Sequence, residues 1–212
     1  MPTPDRTSLA EIVAAAREIL ERDGLADVTM QAVAKRVGVR APSLYKRVDS
    51  RNALIELVAK TAVTELGHRI DEAAAPASTD PHTELRAIAS DLRAFAHENP
   101  RVYQLIFVGS DATRPDPEVL ASASASILRV AAELVGTEHA LQAARTVTAW
   151  AHGFISMELA GAFKLGGDID NAFEFGVALL ADALSARAKE RGYRGSESAA
   201  ERSPKSSTDA PS

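Results

Sequence analysis

Residues 28–51, VTMQAVAKRVGVRAPSLYKRVDSR, hold two short apolar patterns that meet at a glycine, and this pairing leaves the chain few architectures. The first pattern starts behind Thr29, a good N-cap. Met30, Val33, Ala34 and Val37 follow at spacings of three and four, which puts them on one helical face. Gly38 breaks it. The second pattern, Ala41 to Lys46, restarts with Pro42, which a helix tolerates only in its first turn because proline has no N–H to donate. Helices this short are marginal alone in water. They require packing through Val39, Leu44 and Val48 against longer neighbours, so the chain is expected to build a helical head around a helix-turn-helix.

That packing turns Arg40, Ser43, Tyr45, Lys46 and Arg47 outward. Between residues 35 and 51 stand six basic side chains (Lys35, Arg36, Arg40, Lys46, Arg47, Arg51) and one acidic one, Asp49, a local charge of +5 in a chain whose net charge is −5. Hydroxyls, a tyrosine and cations on one short helix are the groups that meet phosphates when a helix lies in a major groove. Double-stranded DNA is the expected partner. An αα-hairpin with a solvated basic face would account for the pattern alone, so the flanking sequence has to decide.

Upstream, residues 1–7 read as a polar, disordered arm. Ser8 and Glu11 form a capping-box pattern, and Leu9, Ile12, Val13, Ala16, Ile19 and Leu20 make one stripe that ends at Asp23-Gly24. Downstream, Ser50 caps a long helix carrying Leu54, Leu57, Val58, Ala62 and Leu66 to about Ala74. Residues 1–60 carry ten basic and eight acidic side chains, leaving 14 against 21 in the rest, so a basic head joins an acidic body.

The opening helix, GLADVTMQAVAKRVGVRAPSLYKRVDSRNAL and the long connecting helix resemble the DNA-binding head of the TetR family of bacterial transcriptional regulators over about residues 8–60. The resemblance implies a three-helix head, a variable helical body, a homodimer, and repression relieved by a small ligand. It implies that Pro42, Ser43 and Arg40 lie at base edges while Thr29, Tyr45, Lys46, Ser50 and Arg51 hold phosphates. Two departures stand out, Arg47 and Val48, where the family usually has histidine and phenylalanine; Arg40 also sits where a capping serine is frequent. Arg47 is therefore counted with the DNA-contacting residues.

The body reads as further helices. Residues 75–82 form a linker, Asp80-Pro81 starts a helix that reaches Asn99, Arg101 to Val108 is short, and Pro117 to Val135 is a single helix ended by Gly136. Glu138 to Phe163 is apolar on every side around Val147 to Ala162, and Asp170 to Arg191 follows a Leu165-Gly-Gly-Asp break. Two such consecutive helices offer more apolar surface than one small body covers, so Ile155, Leu159, Phe173, Val177, Leu180 and Leu184 are expected at a homodimer interface. Trp150, His152 and Gly153 resemble the Trp-His-Gly signature of one subclass of these regulators, and place Trp150 and Phe154 on a pocket wall or in the core. Phe95, Tyr103, Phe107, Trp150, Phe154 and Met157 are the candidate pocket residues, for an uncharged or lipophilic ligand. Residues 192–212 lack apolar periodicity and read as a disordered tail.

The sequence has no cysteine, which excludes disulfides and thiolate metal sites and suits a cytoplasmic location. No stretch is apolar enough to span a bilayer. None of the five histidines has a second ligand at clean spacing on one helix face, since Glu138 and His139 are adjacent and splay apart, so no metal or cofactor is expected. No nucleophile elbow, phosphate loop or HExxH motif appears, and an enzyme is not expected. The expectation is an all-α fold of about nine helices: head 8–50, ligand-binding and dimerisation body 51–191. Its function would be that of a homodimeric, ligand-responsive repressor, the rival being a helical small-molecule sensor or carrier that does not bind DNA.

Overall fold

The computed structural model describes residues 7–74, 80–108 and 116–201, with the backbone alone from 188 onward. Among the described residues there are ten α-helices and no strand: α1 (Leu9–Asp23), α2 (Met30–Arg36), α3 (Ala41–Leu44), α4 (Arg51–Ala73), α5 (Pro81–Glu98), α6 (Pro100–Val108), α7 (Pro117–Ala123), α8 (Ala125–Val135), α9 (Ala140–Leu159) and α10 (Ile169–Glu201). The expected arm up to residue 6 and most of the expected linker lie outside the described residues.

Local chemistry sets the helix starts. The Ser8 hydroxyl accepts the Glu11 N–H at 3.2 Å and the Glu11 carboxylate accepts the Ser8 N–H at 2.6 Å, closing the capping box of α1. Thr29 and Ser50 accept the N–H of Ala32 and Ala53, each at 3.1 Å, and Asp80 accepts those of His82 and Thr83 ahead of Pro81. Gly38 joins α2 to α3 at φ +74°, a left-handed conformation that a side chain makes costly. α3 has four residues and a single buried one, Leu44. Burying a leucine yields about 1.5–3 kcal/mol, so tertiary contact and not helix propensity holds α3. Val48 is buried beside it.

One hydrophobic core runs through head and body. α1 packs on α2, on α4 and on α6; in the body α4 meets α5 and α7, α8 meets α5, α9 and α10, and α10 also meets α5. The boundary expected at 50/51 is thus the start of α4 and no gap in packing.

Three boundaries differ from expectation. The helix expected over 117–135 is two, because the chain turns at Ser124, where φ is −101° and ψ 0°. α9 stops at Leu159 and not Phe163: Gly161, at φ +62°, donates to Glu158 O and Ala162 donates to Met157 O, both at 2.8 Å, the paired bonds of a Schellman cap. The tail expected to be irregular from 192 continues as α10 backbone to Glu201, since extending a formed helix adds one hydrogen bond per residue fixed.

Candidate nucleic-acid interface and internal cavity

The outer face of the head assembles the residues singled out by the sequence. Arg40, Pro42, Ser43, Lys46 and Arg47 are exposed, as is Tyr45, while Leu44 and Val48 between them turn inward. Arg40 is the N-cap of α3 and makes no side-chain cap bond. Thr29 and Ser50 use their hydroxyl oxygens as cap acceptors and keep their O–H groups to donate. The cations divide into two sets. Arg36 is held by the Glu18 carboxylate at 2.8 Å and Arg51 donates Nε to Val28 O at 2.6 Å and Nη2 to Leu25 O. Lys35, Arg40 and Lys46 have no ion pair among the described residues. Arg51, expected on phosphate, is engaged within the chain: its guanidinium fastens the start of α4 to the link between α1 and α2. A long-range side-chain to backbone bond has no signature in sequence.

In the body, a cavity of about 240 Å³ lies among α4, α5, α6, α9 and the α7–α8 joint. Val63, Leu66 and Ile70 of α4 form one wall and Leu120, Ala123 and Ile127 face them. Of the six candidates only Phe107 lines it. Phe95 and Tyr103 are buried in the core, Met157 is 49% exposed on the surface, and Trp150 and Phe154 pack on Phe173, with centroids 5.4 and 5.2 Å away. Aromatic spacing on α9 marks the face toward α10, whereas this cavity is walled by aliphatic residues that look like ordinary core. Trp150 also covers Gly176, where an added Cβ would come within 2.1 Å of the indole, so this tryptophan is a packing residue between α9 and α10.

Two more features bear on the cavity. Gly67 of α4 is buried against α7: an added Cβ would stand 2.9 Å from both Cα and Cβ of Ala123. Behind Phe107, the His152 ring stacks at 4.7 Å, and its Nδ1 lies 3.0 Å from the Tyr103 hydroxyl, which donates to it when the imidazole is neutral. Burial holds His152 below its ordinary pKa and Tyr103 above its own. Away from the cavity, Arg93 lies over Phe173 at 5.0 Å and binds Glu158 and Asp170, tying α5 to α9 and α10. Arg93 and His97 pull Glu158 below the usual carboxylate range. Among the described residues no group of histidines and carboxylates could hold a metal, and no helix is long and apolar enough to cross a membrane.

Three of the six residues expected at the dimer face lie inside the chain's own core. Ile155, Phe173 and Val177 are buried in the core of their own chain, and Leu159, Leu180 and Leu184 are half-buried. The apolar side chains that α9 and α10 leave outward are Met157 at 49%, Phe175 at 70% and Leu179 at 57% exposure, with Gly153 exposed beside them. Both helices are apolar on two sides. Period alone cannot say which side the chain keeps for itself.

Known proteins share this architecture. Residues 12–58 match the family of bacterial regulatory proteins, tetR family, and residues 85–180 match the tetracyclin repressor-like C-terminal domain. An uncharacterized HTH-type transcriptional regulator of Mycobacterium tuberculosis, Rv0681, is 29% identical over 171 residues, which is 79% of this chain and 76% of that one. A protein of unknown function from Rhodococcus sp. RHA1 superposes with a TM-score of 0.73 at 19% identity, over 87% of this chain and all of that one. BioQ of Mycobacterium smegmatis superposes with a TM-score of 0.62 at 25% identity, over 85% of this chain and 99% of that one; BioQ has also been solved on its double-stranded DNA operator. Head and body matches fall in the order and places the helices require, and the chain belongs to the TetR family of bacterial transcriptional regulators.

Proposed function

We propose that two copies of this chain form a cytoplasmic repressor that binds a palindromic operator through its heads and is released when a small molecule fills the body cavity. One observation carries the reading. α4 is a single helix whose capped end at Ser50 adjoins the recognition segment and whose Val63, Leu66 and Ile70 wall the cavity. Anything that widens the cavity acts on the element that aims the head. In a dimer this alters the distance between two recognition helices that must meet successive major grooves about 34 Å apart.

Within this reading residues 8–50 read DNA, with Arg40, Pro42 and Ser43 at base edges and Thr29, Tyr45, Lys46, Arg47 and Ser50 on the backbone. Residues 51–191 bind ligand and the second copy, which would cover Met157, Phe175 and Leu179. No nucleophile and base converge on the cavity lining, so its role is binding and not catalysis.

The test is a mobility-shift titration on DNA upstream of the gene, at several salt concentrations, beside light scattering at micromolar protein. A dimer that shifts the fragment with a steep salt dependence supports the reading. A monomer, or no shift on any fragment at low salt, overturns it in favour of a sensor or carrier.

A further inference from the structure

Thr148 of α9 and Ser124 at the α7–α8 joint are the two hydroxyl side chains on the wall of the cavity, and neither has a hydrogen-bond partner among the described residues. Thr61, Thr64 and Thr146 each donate back to the carbonyl four residues earlier, at 2.8 to 3.0 Å, the habit of a threonine inside a helix. Thr148 sits in the same helix as Thr146 and does not. Thr148 and Ser124 are both half-buried with their hydroxyls reached by solvent, so a bound molecule that displaces water there must replace its hydrogen bonds or leave the hydroxyls unpaired, which is costly. The remaining wall is hydrocarbon, from α4, α5, α6 and α8, and bears no titratable side chain.

Resting on the reading that the cavity is the ligand site, we infer that it takes a small neutral molecule with a hydrocarbon body and one hydrogen-bonding group, such as an alcohol or ketone, received by Thr148 or Ser124. Size follows from volume. An apolar cavity of about 150 Å³ holds benzene, so 240 Å³ scales to about ten non-hydrogen atoms, one ring with a short side chain. Charge is excluded by the same wall. A carboxylate or ammonium would leave water and find no counter-ion and at most two hydroxyls. A pure hydrocarbon would fit but would leave both hydroxyls unpartnered. Ser124 follows Ala123, the residue pressed against Gly67, so a ligand bonded there would engage the joint that touches α4.

The test uses three probes of one shape on the full chain: 3-phenyl-1-propanol, n-propylbenzene and 3-phenylpropanoate, titrated calorimetrically. The alcohol is expected to bind about five- to tenfold more tightly than the hydrocarbon, as one net hydrogen bond allows, and the carboxylate not measurably. Thr148→Val, which keeps the shape of the side chain, and Ser124→Ala, singly and together, are expected to erase the alcohol's advantage and leave the hydrocarbon's affinity. Carboxylate binding as strong as the alcohol's, an advantage that survives in the double variant, or no binding by any probe at millimolar concentration would each overturn the inference. Binding of the alcohol without release of DNA in the mobility shift would uphold it and overturn the release mechanism instead.

Discussion

Gly67→Ala separates a glycine that is merely tolerated from one that is required. Inside a helix the change to alanine is normally favourable by about 1 kcal/mol, because glycine has the greater backbone entropy to lose. Here the new Cβ would stand 2.9 Å from two atoms of Ala123, against about 3.5–4.0 Å for relaxed carbon contacts. α4 and α7 must therefore part by roughly 0.6–1 Å at this point. Such overpacking costs about 1–3 kcal/mol in a tight core. α7 is only seven residues long and buries no residue fully, so it yields readily and the cost lies near the lower end. The two terms nearly cancel, and the melting temperature is expected to stay level or fall by a few degrees, at roughly 2–4 °C per kcal/mol for a chain of this size. The functional effect is larger. Gly67 lies 17 residues beyond Ser50, about 25 Å along α4, so a 1 Å displacement tilts the helix by about 2°. Operator affinity should fall severalfold, without ligand, in a mobility shift. A variant that melts about 2–4 °C higher and binds and releases DNA as before would refute the reasoning, since its glycine would be a helix defect and α7 no wedge.

Three further outcomes follow from the same geometry. Lys46→Ala, which removes one phosphate contact from each head of the dimer, should lower the slope of log affinity against log salt by about 1.8 and leave melting unchanged, whereas Arg51→Ala, losing bonds to the Val28 and Leu25 carbonyls worth about 2 kcal/mol together, should melt about 4–8 °C lower with its slope intact. Phe175→Glu, on a side chain 70% exposed in the single chain, should leave the fold unharmed and give a monomer by light scattering; a dimer of unchanged strength would move the interface elsewhere. His152 is depressed by burial, so the unfolded chain binds its proton more readily, and the stability that neutral His152 contributes is present above its ordinary value of 6.5 and lost as pH falls through the lowered folded value. Melting temperatures at about pH 7.5 and pH 5.5 should therefore differ more for the wild type than for His152→Phe, and an equal difference would reject the role.

What the sequence makes legible here is whatever is decided within a few residues. Ser8 with Glu11, Thr29, Gly38, Ser50 and Asp80 with Pro81 each satisfy backbone groups one turn away, so type and spacing suffice to place the helix starts. The outward set Arg40, Pro42, Ser43, Tyr45, Lys46 is legible because Leu44 and Val48 fix the opposite face. Decisions between distant segments are not legible. The second apolar side of α9 and α10 hides which stripe is inner, and Ile155, Phe173 and Val177 went to the core because α5 and α8 are there to cover them. Arg51 reads as one more cation until the Leu25 and Val28 carbonyls fold up beside it. Phe107 is the single aromatic guess that lines the cavity, since a cavity is space left by aliphatic residues and leaves no pattern of its own.

Besides the shared core, two ties join the head to the body among the described residues, and they differ in kind. α4 is a continuous helix. The second tie is polar: the Glu21 carboxylate of α1 accepts the N–H groups of Arg101 and Val102 at 3.2 and 2.6 Å, capping the start of α6, and Arg101 donates back to Glu21 O at 3.1 Å. Arg17 of α1 adds bonds to Glu65 of α4 and to Asn99, the residue before α6. A carboxylate at a helix N-terminus is favourable by about 0.3–1 kcal/mol when exposed, so this tie orients without locking. The far end of α6 carries Ile106 and Phe107 into the cavity wall. A ligand that displaces either wall therefore reaches the head, through Gly67 and α4 on one side or through α6 and Glu21 on the other. A head held at two points can tilt but cannot swing free, and a tilt is what two recognition helices at fixed groove spacing are most sensitive to.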